Sequence, residues 1–212
     1  MRLTESKDQQ LPFSFSPDGK RLAFLELKPH ENFDIWTLRL EGTETEHPKA
    51  GKPEPFLETP FSEWGPTISP DGRWLAYESD ESGNNEVYVR SFSRPGGKWQ
   101  ISTDGGELGP RWTPSSARRN PVWSRTRQEL FYRSRQGIMV VSYSNQSEIF
   151  AAGRARLWAE KKDIGEFDLA PDGKRVVAFQ PATLEDQSGA TKAMVLLNFF
   201  DDLRQRTSAA GR

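Results

Sequence analysis

The sequence predicts an all-β protein: a β-propeller segment of four blade-like repeats, each of about four antiparallel strands, arranged as an open or partial arc. Three observations carry that prediction. One turn phrase recurs, as Ser16-Pro-Asp-Gly19, Ser69-Pro-Asp-Gly72 and, with alanine in front, Ala170-Pro-Asp-Gly173. Aligning Asp18, Asp71, Thr126 and Asp172 gives spacings of 53, 55 and 46 residues, close to the length of one propeller blade. The strand after the turn, clearest at Trp74-Leu-Ala-Tyr77, is apolar on both faces. A sheet packed between two neighbouring sheets needs that, whereas a sandwich strand alternates apolar and polar residues.

The turn has a definite chemistry. Proline presets φ for the second position of a type I turn, and aspartate suits the third. Glycine can then take the left-handed conformation that closes the hairpin. Each unit can be laid out around it.

Residues 1–9 are a polar lead-in. The first unit, about 10–59, holds Leu11–Phe24, then Asp34-Ile-Trp-Thr-Leu38 and a last strand at Pro55-Phe-Leu57. The second, about 60–106, runs from Trp64 through Tyr77 to Glu86-Val-Tyr-Val89 and Trp99-Gln-Ile101. In the third, about 107–160, Arg125-Thr-Arg127 stands where Pro-Asp-Gly is expected, and Ile138–Tyr143 follows as a strand. Pro110-Arg-Trp112 and Pro121-Val-Trp123 are two versions of its first strand, with an insert between them. The fourth, about 161–200, contains Phe167–Phe179 and Met194-Val-Leu-Leu197; a polar tail, 201–212, ends the chain.

Composition narrows the function classes. Hydrophobic residues make up 34% of the 212, so seven Trp and thirteen Phe must carry much of the core. The formal net charge of −1 argues against an ordinary basic nucleic-acid binder. With no cysteine, disulfides, thiolate metal sites and cysteine catalysis are excluded. No apolar run reaches the ~20 residues that cross a bilayer, and Met1–Gln10 has no apolar signal core. A complete chain of this kind is expected in the cytoplasm.

The phrases Phe15–Phe24, Ile68–Tyr77 and Glu86–Val89 resemble the WD-repeat-like propeller repeats of the TolB type. The closing stretch, from Asp168-Leu-Ala-Pro-Asp-Gly173 to Leu196-Leu-Asn-Phe-Phe-Asp-Asp-Leu203, is similar to the end of propeller regions attached to bacterial serine/threonine kinases of acidobacterial type. That resemblance implies a non-catalytic sensory or binding module, extracytoplasmic, whose kinase domain and further blades lie upstream. The TolB-type phrase is shared with the propeller gates of prolyl-oligopeptidase-like hydrolases and with stand-alone TolB-type scaffold proteins. TolB-type propellers usually close with six or more blades. Only four units are visible here, so exposed sheet faces and association are expected.

Candidate chemistry is sparse. His30 and His47 sit in polar stretches with no carboxylate at ligand spacing, and no Gly-x-Ser-x-Gly elbow or kinase motif occurs. Neither a cofactor nor a metal is expected. Asp18, Asp71 and Asp172 are accounted for by turn chemistry. Asp80–Glu86 lacks the ligand order of a calcium loop and reads as a hairpin connection. Arg111–Arg135 holds seven arginines against one acid, a solvated rim or an anionic-partner patch. Propeller geometry sets first strands near the axis, which makes Trp64, Arg111, Trp112 and Trp123 the candidate mouth for a protein or small-molecule ligand. Core packing is the competing use of the tryptophans.

Overall fold

The computed structural model describes residues 3–27, 32–42, 49–94, 96–103, 121–144, 149–160, 164 and 166–180, with backbone alone for 179–180 and for 192–196. Regular structure among them is strand throughout, in four antiparallel sheets. The first contains β1 (Gln10–Phe15), β2 (Arg21–Leu27), β3 (Phe33–Glu41), β4 (Lys49–Ala50) and β5 (Glu54–Leu57). The second contains β6 (Glu63–Ile68), β7 (Trp74–Ser79), β8 (Glu86–Ser91) and β9 (Lys98–Gln100). The third runs β10 (Val122–Trp123), β11 (Glu129–Arg133), β12 (Gly137–Ser144), β13 (Ala151–Ala152) and β14 (Arg156–Glu160). The fourth has β15 (Phe167–Leu169), β16 (Val176–Gln180) and β17 (Lys192–Leu196). The first three strands of every sheet pair in sequence order, as in a propeller blade. In the first and third sheets the last strand, β5 or β14, pairs with β3 or β12 beside the two-residue β4 or β13.

The proline–aspartate–glycine turns adopt the expected geometry. Gly19, Gly72 and Gly173 have φ of 69°, 70° and 68°, the left-handed region where a side chain is strained. Their amides donate to the carbonyls of Ser16, Ser69 and Ala170 at 2.8–2.9 Å, which closes each turn. In the third blade, Ser124 N still donates to Glu129 O at 2.9 Å, so a hairpin forms without the phrase.

The two-faced strand does what its composition demands. Leu75 and Tyr77 of β7 join Ala23, Leu25, Phe33 and Ile35 in an apolar layer between the first and second blades. Trp74 and Ala76, on the opposite face, join Leu130, Tyr132, Val141 and Phe150 between the second and third. A third layer, with Phe131, Trp158, Phe167 and Val176, binds the third blade to the fourth. Burying each large side chain contributes roughly 1.5–3 kcal/mol. A few aromatics therefore hold a chain of low overall hydropathy.

No core cluster joins the fourth blade to the first among the described residues. The outer face of blade one carries its own layer, Leu22, Phe24, Leu38 and Leu40, overlaid by Leu3 of the lead-in and by Ala50. Val177, on the outer face of blade four, is 38% exposed. The four blades form an arc with two ends.

Innermost strands β1 and β6 both bulge at a proline. The β1–β2 register slips between Pro12 and Ser14, and the β6–β7 register slips between Trp64 and Thr67. Proline cannot donate to the ladder, and the extra residues bend the strand. Adjacent inner strands are tied directly, with Ile68 N donating to Ser14 Oγ at 3.1 Å and Trp123 Nε1 to Thr67 O at 3.0 Å.

Candidate functional site

Because each inner strand runs the same way, all the turns that follow them lie on one rim of the arc. They also touch. A Cβ built at Gly72 would meet Pro17 Cδ at 3.5 Å, and one at Gly173 would meet Thr126 Oγ1 at 2.7 Å. Neighbouring turns thus rest on one another, the first on the second and the third on the fourth.

The aspartates of this rim are spent on their own loops. Asp18 Oδ1 accepts from Ser16 Oγ at 2.5 Å and from Lys20 N at 3.0 Å. Asp71 repeats the pattern with Ser69 Oγ at 2.5 Å and Arg73 N at 3.1 Å, and Arg73 Nε bonds its other oxygen at 3.0 Å. Asp172 accepts from Lys174 N and Arg175 Nε, both at 2.9 Å. The Ser16 hydroxyl and Lys20 amide hold the Asp18 carboxyl below its ordinary value. Lys174 N and then Arg175 do the same for Asp172. For Asp71, burial pulls upward but Ser69 and Arg73 outweigh it, so the net direction is down.

Between the first two turns lies an open cleft of about 610 Å³, walled by Asp18, Lys20, Arg21 and Arg39 from blade one and by Asp71 and Phe92 from blade two. Arg21 sits 5.3 Å over the Phe92 ring. A second hollow of about 420 Å³, bordered by Phe56, Arg90 and Arg94, shares Phe92 with it.

The opposite rim is aromatic and acidic. Trp64 is half-buried, edge-on to Phe13 at 5.6 Å and to Phe33 at 4.8 Å. Beside it Glu63 is 1% exposed, with Oε1 accepting from Thr59 Oγ1 at 2.6 Å. Burial pushes the Glu63 carboxyl up to about 8; Thr59 opposes this, and Asp34, Asp80 and Glu81 add to it. Burial also raises the Tyr77 phenol, and carries Tyr143 to about 12.

Of the residues expected at a mouth, the structure places Trp64 at the seam of blades one and two. Trp123 lies in the layer between blades two and three, 5% exposed, its indole donor used on Thr67. Arg111 and Trp112 lie outside the described residues, as do His30 and His47. Within the arginine-rich stretch, Arg125, Arg127 and Arg135 are exposed, whereas Arg133 Nη1 donates to Ile164 O at 2.6 Å and ties blade three to the start of blade four. Asp80–Glu86 is a hairpin connection, with Gly83 N donating to Asp80 O at 2.9 Å. No group of three or more His, Asp or Glu among the described residues is placed to hold a metal ion. No helix among them is long and apolar enough to cross a membrane.

Sequence reasoning passed over the cleft with its two arginines and the buried Glu63. Arg21 and Arg39 stand eighteen positions apart, and only the β2–β3 register shows that they are neighbours.

No protein-family model matches the chain. A stretch of 103 residues, 47% of the chain, is 32% identical to the uncharacterized peptidase YuxL of Bacillus subtilis and spans 15% of that protein. The structure resembles TolB from Acinetobacter baumannii with a TM-score of 0.56 and 16% identity, covering 92% of this chain and 43% of TolB. It resembles a puromycin-hydrolyzing peptidase of Mycobacterium tuberculosis with a TM-score of 0.59 and 14% identity, covering 94% of this chain and 28% of the peptidase. At these identities the likeness is one of fold, a TolB-like β-propeller. The chain spans less than half the length of each of these proteins.

Proposed function

We propose that the chain is a non-catalytic ligand- or protein-binding propeller module, the C-terminal sensory part of a bacterial receptor-type serine/threonine kinase. The observation that carries the binding role is the turn rim. Two rigid hairpin turns, each locked by its own aspartate, frame a cleft that neither blade could form alone. A site built between rigid elements can hold a ligand without reordering them. The kinase context rests on the resemblance of the closing stretch, Asp168 to Leu203. In that setting the module lies on the extracytoplasmic side, and its partner is a protein or a small molecule.

A second reading has its own support. The stretch similar to YuxL and the likeness to the puromycin-hydrolyzing peptidase favour the propeller gate of a prolyl-oligopeptidase-like hydrolase. There too the blades filter access and perform no chemistry. A stand-alone TolB-type scaffold is the third arrangement.

An antiserum raised against the purified chain, used to recover the native product from source cells for peptide mass spectrometry, separates the three. Peptides of a kinase domain preceding the blades support the first reading. Peptides of an α/β-hydrolase domain following them overturn it in favour of the second. A product matching these 212 residues alone overturns both and leaves the scaffold.

A further inference from the structure

We propose that the cleft between the first and second blades binds a carboxylate-bearing ligand, its carboxylate held between Arg21 and Arg39. This deepens the binding reading above and rests on it for the choice of the turn rim as the binding face.

Arg21 of β2 and Arg39 of β3 are directly opposed in register. Residues so paired project from the same face of a sheet, and like charges in that arrangement repel. Elsewhere on the same strands most opposed pairs are apolar, such as Leu22 with Leu38 and Phe24 with Trp36, while the one other like-charged pair, Glu26 with Asp34, is buried at the opposite end of the strands. The arginine pair is the cationic one, and it opens onto the cleft of about 610 Å³. Neither arginine forms an ion pair among the described residues. Arg21 is steadied by the Phe92 ring beneath it, a stacking that leaves the guanidinium edge free to donate. Of the three acids that border the cleft, Asp18 and Asp71 are engaged by their own turns.

Those acids also select the ligand. Asp18, Asp71 and Glu41 all border the cleft with Lys20, Arg21 and Arg39, so the site as a whole is close to neutral. A doubly charged phosphate would be repelled by three flanking carboxylates. A planar, singly charged carboxylate fits between two guanidinium forks and meets less repulsion. The side chain of an acidic residue or the end of a peptide chain supplies that group.

Isothermal titration of the full chain with an acetylated tripeptide carrying a free C-terminal carboxylate tests this. Its amidated twin and inorganic phosphate serve as comparison probes. Saturable binding of the free acid is expected, with the twin and phosphate each at least about tenfold weaker. Arg39 is exposed, so R39Q should fold, which a thermal melt checks. R39Q should weaken the free acid about tenfold or more, and R39K, which keeps charge but not the fork, should fall between. R125Q, on the rim of the third blade, should leave binding unchanged. Arginine Nε–Hε resonances of the unaltered chain, expected to shift on adding peptide, give a readout independent of any variant's folding. Equal binding of the amidated twin, phosphate binding as tight as the free acid, no binding of any probe, or an R39Q titration like that of the unaltered chain would overturn the proposal. The recovered native product speaks only to which parent carries the blades, so the two tests fail separately.

Discussion

Replacing Glu63 by glutamine should flatten the pH dependence of stability between about pH 5 and 8. Glu63 opens β6 at the rim opposite the turns, 1% exposed, with one oxygen on the Thr59 hydroxyl and the other, Oε2, without a partner among the described residues. Burial holds its carboxyl at about 8 against an ordinary value of 4.5, Thr59 pulls the other way, and Asp34, Asp80 and Glu81 raise it further. In the folded chain the proton therefore stays on until about pH 8, whereas the unfolded chain releases it near 4.5. Across that window the native state binds more protons, so stability is greatest below 4.5 and falls as pH rises through 8. Each tenfold in acid strength is worth about 1.4 kcal/mol, which sets an upper bound of about 5 kcal/mol on the fall. Relaxation and water entry will reduce it. Glutamine keeps an acceptor for Thr59 and cannot ionise; its buried amide costs about 1–3 kcal/mol at every pH alike. Urea unfolding of both proteins at pH 5, 6, 7 and 8 should show the unaltered chain losing stability relative to E63Q as pH rises. Two profiles parallel within about 0.5 kcal/mol would refute the reasoning.

Three other perturbations probe the packing and the turns. G19A and G173A share a left-handed φ, but a Cβ at Gly19 meets open space while one at Gly173 meets Thr126 Oγ1 at 2.7 Å; G19A should cost about 1 kcal/mol and G173A measurably more, in chemical denaturation. Phe150 is 2% exposed and lies 5.3 Å from the rings of both Trp74 and Tyr143, so F150A should cost about 3–5 kcal/mol in the same assay. D71A removes the acceptor for Ser69 Oγ and Arg73 N and should cost about 1 kcal/mol at pH 7. Because the Asp71 carboxyl lies below its ordinary value, that cost should shrink as pH falls through its folded value, read from melts at pH 7 and pH 3.

Turn chemistry and strand patterning made the blades legible. Asp18 and Gly19 each have one physical job, and the structure shows both performed, in the carboxylate that accepts from Ser16 Oγ and Lys20 N and in the left-handed φ of 69°. The two-faced strand at Trp74–Tyr77 foretold neighbours on both sides, and the layers over Leu75 and Trp74 are those neighbours. The last strand of the third blade, Arg156–Glu160, was harder to see. It is short, three of its five positions are exposed, and its core contribution rests on Trp158 and Ala159. Two-residue strands such as Ala151–Ala152 leave no pattern at all. The site was less legible still. Trp123, on the first strand of the third blade, packs between blades and not toward a mouth. The buried Glu63 looks like any acid before a strand, since its depth comes from Thr59 and the first blade. Cross-strand pairs such as Arg21 and Arg39 depend on the length of the intervening hairpin, which local pattern does not determine.

The central claim is that successive sheets stack face to face in series around a common hub. Aromatic-selective labelling and NOE spectroscopy on the full chain test it most directly. Trp74 of blade two should show cross-peaks to Phe150 of blade three, and Trp64 of blade two to Phe33 of blade one, at the 5.3 and 4.8 Å ring separations observed. A spectrum in which Trp64 and Trp74 both met rings of the same neighbouring sheet would contradict it, because those two residues belong to opposite sides of one blade.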